Sequence, residues 1–271
     1  MKHEPIPLWN SETPRMLAGS ETPMLTYYRT EKKTHKGTVV ILPGGAYAAR
    51  APHEGDGYAR FFNDHGFDAF VVDYRVSPNR FPTELLDARR ALRTVRAHAE
   101  EYGISPDKIA VMGSSAGGHL AALVSTYRPA IDGEGADEID AVSPFPNASI
   151  LCYPVIDTSD DAIVHMGSKE NLLGEEALSL GASVSPSVIA DEGVCPAFLW
   201  HTSDDEVVNV INSYRYAERL RRVGVPVEMH IFPHGHHGLG LADTRYGCSA
   251  NTPYISRWGE WVVAWLSELG F

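Results

Sequence analysis

Cysteine is scarce in this chain. Only Cys152, Cys195 and Cys248 occur in 271 residues, far apart and odd in number. No Cys-x-x-Cys pair exists, which argues against a zinc ribbon or a dithiol redox motif. The expectation is small apolar side chains in a reducing compartment. Positive charge is also short, with 23 Lys and Arg against 35 Asp and Glu and a net charge of -12. A nucleic-acid surface or an anionic membrane face needs a basic patch, so neither partner is expected. No stretch approaches the ~18 apolar residues of a membrane span. Met1-Lys2-His3-Glu4-Pro5 is followed by no apolar signal core. The expected location is therefore cytoplasmic, unless a leader has been removed. Neither Gly-x-Gly-x-x-Gly nor Gly-x-x-x-x-Gly-Lys-Ser/Thr occurs, so no nucleotide cofactor is expected.

What the chain does have is apolar content, 44% of its residues. That suits a single α/β domain over residues 1–271. Strand-like runs cover 24–29, 38–42, 67–73, 108–112, 148–153, 196–201 and 225–232, and helical runs alternate with them. This pattern predicts a mostly parallel, doubly wound sheet with helices on both faces. Phe70-Val71-Val72 and Ala197-Phe198-Leu199-Trp200 are continuous apolar runs, as in strands buried on both sides. The clearest helix spans 83–102, with Leu85, Ala88, Leu92, Val95 and Ala99 on one face. Arg89, Arg90, Arg93 and Arg96 fall outside that stripe, and the reading is a solvated face. Further helices are expected over 212–223 and 256–269, the second with Trp258, Trp261 and Trp265 packed on the sheet. Two segments interrupt the alternation. The first, about 128–146, is acidic and turn-rich. The second, about 157–194, includes a possible short helix at 169–173. Both read as rim insertions, the second as a small cap or lid.

Gly113-Ser114-Ser115-Ala116-Gly117 joins the run Ile109-Ala110-Val111-Met112 to the run Leu120-Ala121-Ala122-Leu123-Val124. Strand, sharp turn and helix around Gly-x-Ser-x-Gly push a serine hydroxyl out above the end of a sheet. A serine needs a base, and the base needs an orienting acid. Downstream, Asp205 follows one strand and His237 follows another. Asp204 rivals the first, and His234 and His236 rival the second. Three histidines in four positions also raise a metal site, but no carboxylate or cysteine stands at close ligand spacing and no His-Glu-x-x-His occurs, so no metal is expected. An oxyanion needs backbone N–H donors. Ala116 follows the nucleophile, and Gly45 and Ala46 lie in the glycine loop after Val39-Val40-Ile41-Leu42. Tyr47 and His53 stand near that loop and are candidate substrate contacts. Glu54 reads as a helix-start carboxylate.

Together these pieces resemble the α/β-hydrolase esterases of the acetyl-xylan esterase and BD-FAE feruloyl-esterase type, relatives of the hormone-sensitive-lipase group. The matching segments are Leu42-Pro43-Gly44-Gly45-Ala46-Tyr47, Asp73-Tyr74-Arg75-Val76-Ser77-Pro78, Gly113 to Ala122, Tyr153-Pro154-Val155-Ile156-Asp157, and the surroundings of Asp205 and His237. The resemblance implies an α/β-hydrolase fold of about eight strands. It implies Ser115, Asp205 and His237 as the catalytic set, since the family's acid pattern maps onto Asp205-Glu206-Val207-Val208-Asn209 and its base precedes glycine, as in His237-Gly238. Asn209 departs from the usual proline, and Pro43 stands where the lipase relatives have histidine. Asp73-Tyr74-Arg75 is expected to brace the oxyanion loop. The implied activity is removal of short acyl groups, acetyl above all, from a sugar, a xylo-oligosaccharide or a small alcohol, without a cofactor. An amide hydrolase such as an arylformamidase or small peptidase, or a non-catalytic binding protein on the same fold, are the competing expectations. A homo-oligomer is left open.

Overall fold

The computed structural model describes residues 1–9, 12–135 and 137–271. Eight strands form one sheet: β1 Ile6–Pro7, β2 Met24–Tyr28, β3 Thr38–Leu42, β4 Asp68–Asp73, β5 Ile109–Ser114, β6 Ala148–Cys152, β7 Ala197–Thr202 and β8 Val227–Phe232. Their order is β1-β2-β4-β3-β5-β6-β7-β8. β1 pairs antiparallel with β2, β2 pairs antiparallel with β4, and the remaining pairings are parallel. This is the α/β-hydrolase fold.

The helices are α1 Pro52–Asp64, α2 Thr83–Ala97, α3 Ala99–Tyr102, α4 Ser115–Thr126, α5 Met166–Leu173, α6 Ala177–Leu180, α7 Pro186–Ile189, α8 Ile211–Arg222 and α9 Arg257–Glu268. They cover both faces because the strands alternate with period two. In β3, Val40 and Leu42 join the core under α2, α4 and α8, while Val39 and Ile41 join the core under α1 and α9. In β7, Ala197 and Leu199 face the first core, and Phe198 and Trp200 face the second. Trp258 and Trp265 of α9 are buried in that second core, and Trp200 stacks on Trp258 at 5.1 Å. Cys152 and Cys248 are buried, Cys195 is half-buried, and all three are free.

Three expectations need correction. The helix expected over 83–102 is two, α2 and α3, separated at His98. β1 escaped notice because two residues carry no periodicity. The arginine face of α2 is not solvated. Arg89 and Arg90 are fully buried and Arg93 nearly so. Arg90 pairs with Asp137 and Asp140, and Arg89 and Arg93 both reach Glu134. The acidic segment 128–146 folds over the helix and supplies the counter-charges that buried guanidinium groups require. Residue 136 of that segment lies outside the described residues. Segment 157–194 packs beside the loops after β3 and β4: Asn171 Nδ2 donates to Ala46 O at 2.9 Å, and Phe81 N donates to Leu172 O at 2.8 Å.

Candidate active site

The turn between β5 and α4 holds Ser115 at φ +52°, a left-handed conformation costly for any residue with a Cβ. Its flanking glycines make the turn possible. A Cβ on Gly113 would lie 2.0 Å from Gly117 O, and one on Gly117 would lie 2.1 Å from Leu42 O. The serine is 8% exposed, enough to leave one face open at the carboxyl ends of the parallel strands.

Folding brings the two distant partners to this serine. His237 Nε2 lies 2.8 Å from Ser115 Oγ, and His237 Nδ1 lies 2.7 Å from Asp205 Oδ2. The three stand in line as hydroxyl, imidazole and carboxylate. Asp204 is turned outward, where it meets His234 at 2.9 Å, and His236 bonds the His237 carbonyl. So the three neighbouring histidines take three separate partners.

Asp205 is fixed from both sides. Its Oδ1 accepts the N–H groups of Val207 and Val208, both at 2.9 Å. Its Oδ2 receives His237 and lies 3.3 Å from His201 Nε2. Burial alone pushes the carboxyl up, but the bonds from His201, His237 and Val208 outweigh it and hold the group well below the usual carboxylate range. His201 carried no signal in the sequence beyond its place four residues before Asp205. Its Nε2 also lies 3.0 Å from the Val208 carbonyl, which can only accept, so that nitrogen carries the proton. Asn209, standing where proline was expected, accepts from Ile211 N at 3.0 Å and so opens α8.

The loop after β3 lies against Ser115. Gly45 has φ +137°, and a Cβ there would lie 2.2 Å from Ala49 O. Ala46 follows at φ +55° and Tyr47 at φ +58°. Among the described residues the amides of Gly45 and Ala46 donate to no protein acceptor. The amide of Ala116 sits in the first turn of α4, where the helix itself offers no acceptor. These three N–H groups, two on the loop packed against Ser115 and one on the residue after it, are the candidate oxyanion donors. Tyr74 of the expected brace donates its hydroxyl to Pro43 O at 2.5 Å, and Arg75 is locked in a buried pair with Asp87 at 2.7 Å.

Tyr47 and His53 each bond to another segment of the site. The Tyr47 ring is buried, and its hydroxyl meets His119 Nδ1 at 2.7 Å. His119 Nε2 lies 2.8 Å from the Val184 carbonyl, so it donates there and Nδ1 accepts from Tyr47. Burial pushes the His119 pKa down to about 4. His53 Nε2 lies 3.0 Å from the Gly238 carbonyl, next to His237. Through these bonds both residues support loops of the site.

A family model described as BD-FAE matches residues 24–220. The chain belongs to the BD-FAE family. Among curated relatives of this BD-FAE member, endo-1,4-beta-xylanase B of Butyrivibrio fibrisolvens is 32% identical over 234 residues, covering 83% of this chain and 36% of that protein. The acetylxylan esterase of Xylanibacter ruminicola is 32% identical over 209 residues, covering 75% of this chain and 41% of that protein. The chain therefore spans less than half the length of both. A solved structure, the acetyl ester-xyloside bifunctional hydrolase of Caldicellulosiruptor lactoaceticus, superposes with a TM-score of 0.90 at 40% identity and covers 99% of this chain and 97% of its own.

Proposed function

We propose that this BD-FAE member is a serine carboxylic-ester hydrolase that removes short acyl groups, acetyl above all, from a sugar, a xylo-oligosaccharide or a small alcohol. One observation carries the reading: the continuous line from Ser115 Oγ through His237, at 2.8 Å and 2.7 Å, to Asp205. Its relatives named for acetylxylan and acetyl-ester hydrolysis support the acyl group and the sugar.

Chemistry follows from the geometry. Ser115 Oγ attacks the ester carbonyl while His237 Nε2 takes its proton. Asp205, held ionised, orients the ring and stabilises the imidazolium that forms. The carbonyl oxygen becomes an oxyanion and is met by the free amides of Gly45, Ala46 and Ala116. His237 then protonates the departing alcohol oxygen. Water then attacks the acyl carbon while His237 takes its proton, and His237 returns that proton to Ser115 Oγ as the acyl–Oγ bond breaks, releasing the acyl group as a carboxylic acid.

The test is a panel of 4-nitrophenyl esters of rising acyl length beside acetylated xylo-oligosaccharides, with N-formylkynurenine and aminoacyl amides as competitors. Acetyl esters are expected to give the highest kcat/KM. Faster cleavage of the amides would replace this reading with that of an amide hydrolase. Hydrolysis of nothing on the panel, with no labelling by a fluorophosphonate, would reduce the protein to a binding module.

A further inference from the structure

Glu54 lies in the first turn of α1 and is 3% exposed. Its Oε2 accepts the Gly44 N–H at 2.8 Å, and its Oε1 accepts the Tyr153 hydroxyl at 2.6 Å. The Tyr153 oxygen in turn accepts the Gly240 N–H at 3.0 Å. Gly240 stands three residues after His237, and the Tyr153 ring meets the His237 ring edge to face with centroids 5.0 Å apart. Tyr58 extends the chain of contacts: its hydroxyl lies 3.2 Å from that of Tyr153 and 2.8 Å from Ser114 Oγ, beside the nucleophile. One buried carboxyl therefore joins three segments that are far apart in sequence. They are the loop carrying Gly45 and Ala46, the loop carrying His237, and the turn carrying Ser115.

The fit around this carboxyl is close. A Cβ on Gly44 would lie 2.6 Å from Glu54 Oε2, so glycine there leaves room for the Glu54 carboxylate. Among the described residues no lysine or arginine lies within 4 Å of Glu54, and the nearest basic nitrogen is His53 Nε2 at 3.9 Å. A helix start needs none of this. An exposed carboxylate in the first turn serves the helix as well, whereas burying one with its hydrogen bonds directed at loops outside the helix is costly unless those loops must be held.

We propose that Glu54 is a positioning residue of the reaction, a role that rests on the ester-hydrolase reading above. Acting through Gly44 and Tyr153, it holds the oxyanion-binding amides and the His237 ring in one frame with Ser115. It touches no substrate. Because those amides act on charge that develops only in the transition state, loosening them lowers kcat and leaves KM nearly unchanged. A displacement of about 1 Å at such a site costs about 100-fold in rate.

Three variants read this out with 4-nitrophenyl acetate. Glu54→Ala is expected to lower kcat about 100-fold with KM within about twofold of wild type. Glu54→Gln retains an acceptor for Gly44 and a polar partner for Tyr153, so it is expected to recover kcat to within about tenfold. Tyr153→Phe removes the hydroxyl that links Glu54 to Gly240 and Tyr58, leaves the Glu54–Gly44 bond in place, and is expected to lower kcat about tenfold at an unaltered far-UV circular dichroism spectrum. It carries the test if Glu54→Ala does not fold. The proposal is overturned by wild-type kcat in either Glu54→Ala or Tyr153→Phe, by losses that reside in KM, or by a Gln variant no better than a folded Ala variant. A wild type that hydrolyses no ester overturns the ester-hydrolase reading first. An active wild type with unaffected variants overturns only the role of Glu54.

Discussion

His201 Nε2 lies 3.3 Å from Asp205 Oδ2, the same oxygen that receives His237. Asp205 is thus placed between two imidazoles, one buried and one facing the serine. The buried ring is held by Ser213 Oγ at 2.8 Å and by the Val208 carbonyl at 3.0 Å. It serves as a fixed donor rather than as a base. Replacing His201 by Ala removes one of the bonds that keep Asp205 ionised and in register. The expected loss is about 1–2 kcal/mol of transition-state stabilisation, or about tenfold in kcat. Steady-state kinetics on 4-nitrophenyl acetate measure it, and an unchanged kcat would show that His237 and the two valine amides hold Asp205 alone.

Ser115→Ala removes the nucleophile and leaves the amides in place. A fall in kcat of at least about a thousandfold is expected, with residual turnover from the oxyanion-binding amides. Mass spectrometry after fluorophosphonate treatment should find the label on Ser115 in wild type and on no residue of the variant.

Glu84 gives a pH signature of stability. It is fully buried, and neither carboxyl oxygen has a hydrogen-bond partner among the described residues. Burial pushes its pKa up to about 8 from an ordinary 4.5. The folded form therefore keeps a proton that the unfolded chain releases above about pH 4.5. Its contribution is intact at low pH and is lost progressively between about pH 4.5 and 8. Glu84→Gln cannot ionise. Thermal unfolding from pH 5 to 8 should show the variant gaining on wild type as pH rises, by about 1.4 kcal/mol per pH unit at most. A constant difference across that range would remove the titration of Glu84 from the account.

Tyr47→Phe tests the support beneath the oxyanion loop. The change leaves His119 Nδ1 buried without its donor, at a cost of about 1–3 kcal/mol in stability. Preference among acyl lengths should be unaltered, because the hydroxyl faces His119. A shift in that preference, measured on the 4-nitrophenyl ester series, would place Tyr47 in the acyl pocket.

Much of this molecule could be read before any coordinates. Six of the strands are continuous apolar runs or alternate cleanly, so β3, β4, β5, β6, β7 and β8 fall within a residue or two of the expected spans. Ser115, Asp205 and His237 were legible because each occupies a strand end with distinctive neighbours. Other features carry no local signal. Arg89 and Arg90 lie opposite the apolar stripe of α2, and only the fold reveals that Glu134, Asp137 and Asp140 come back to pair with them. Glu54 looked like an ordinary helix start, since its partners Gly44, Tyr153 and, through Tyr153, Gly240 are brought together by three separate strand ends. His201 was hidden for a similar reason: a histidine ending a buried strand reads as packing until its partner across the turn is seen.

Ser115, Ala46 and Tyr47 all sit in left-handed backbone, each at a cost of order 1–3 kcal/mol. Selection for endurance under heat alone would tend to relax such contortions, for instance by glycine at position 46. Variants obtained that way would melt later and turn over more slowly, so a thermal screen run without an activity assay would enrich for the wrong molecules.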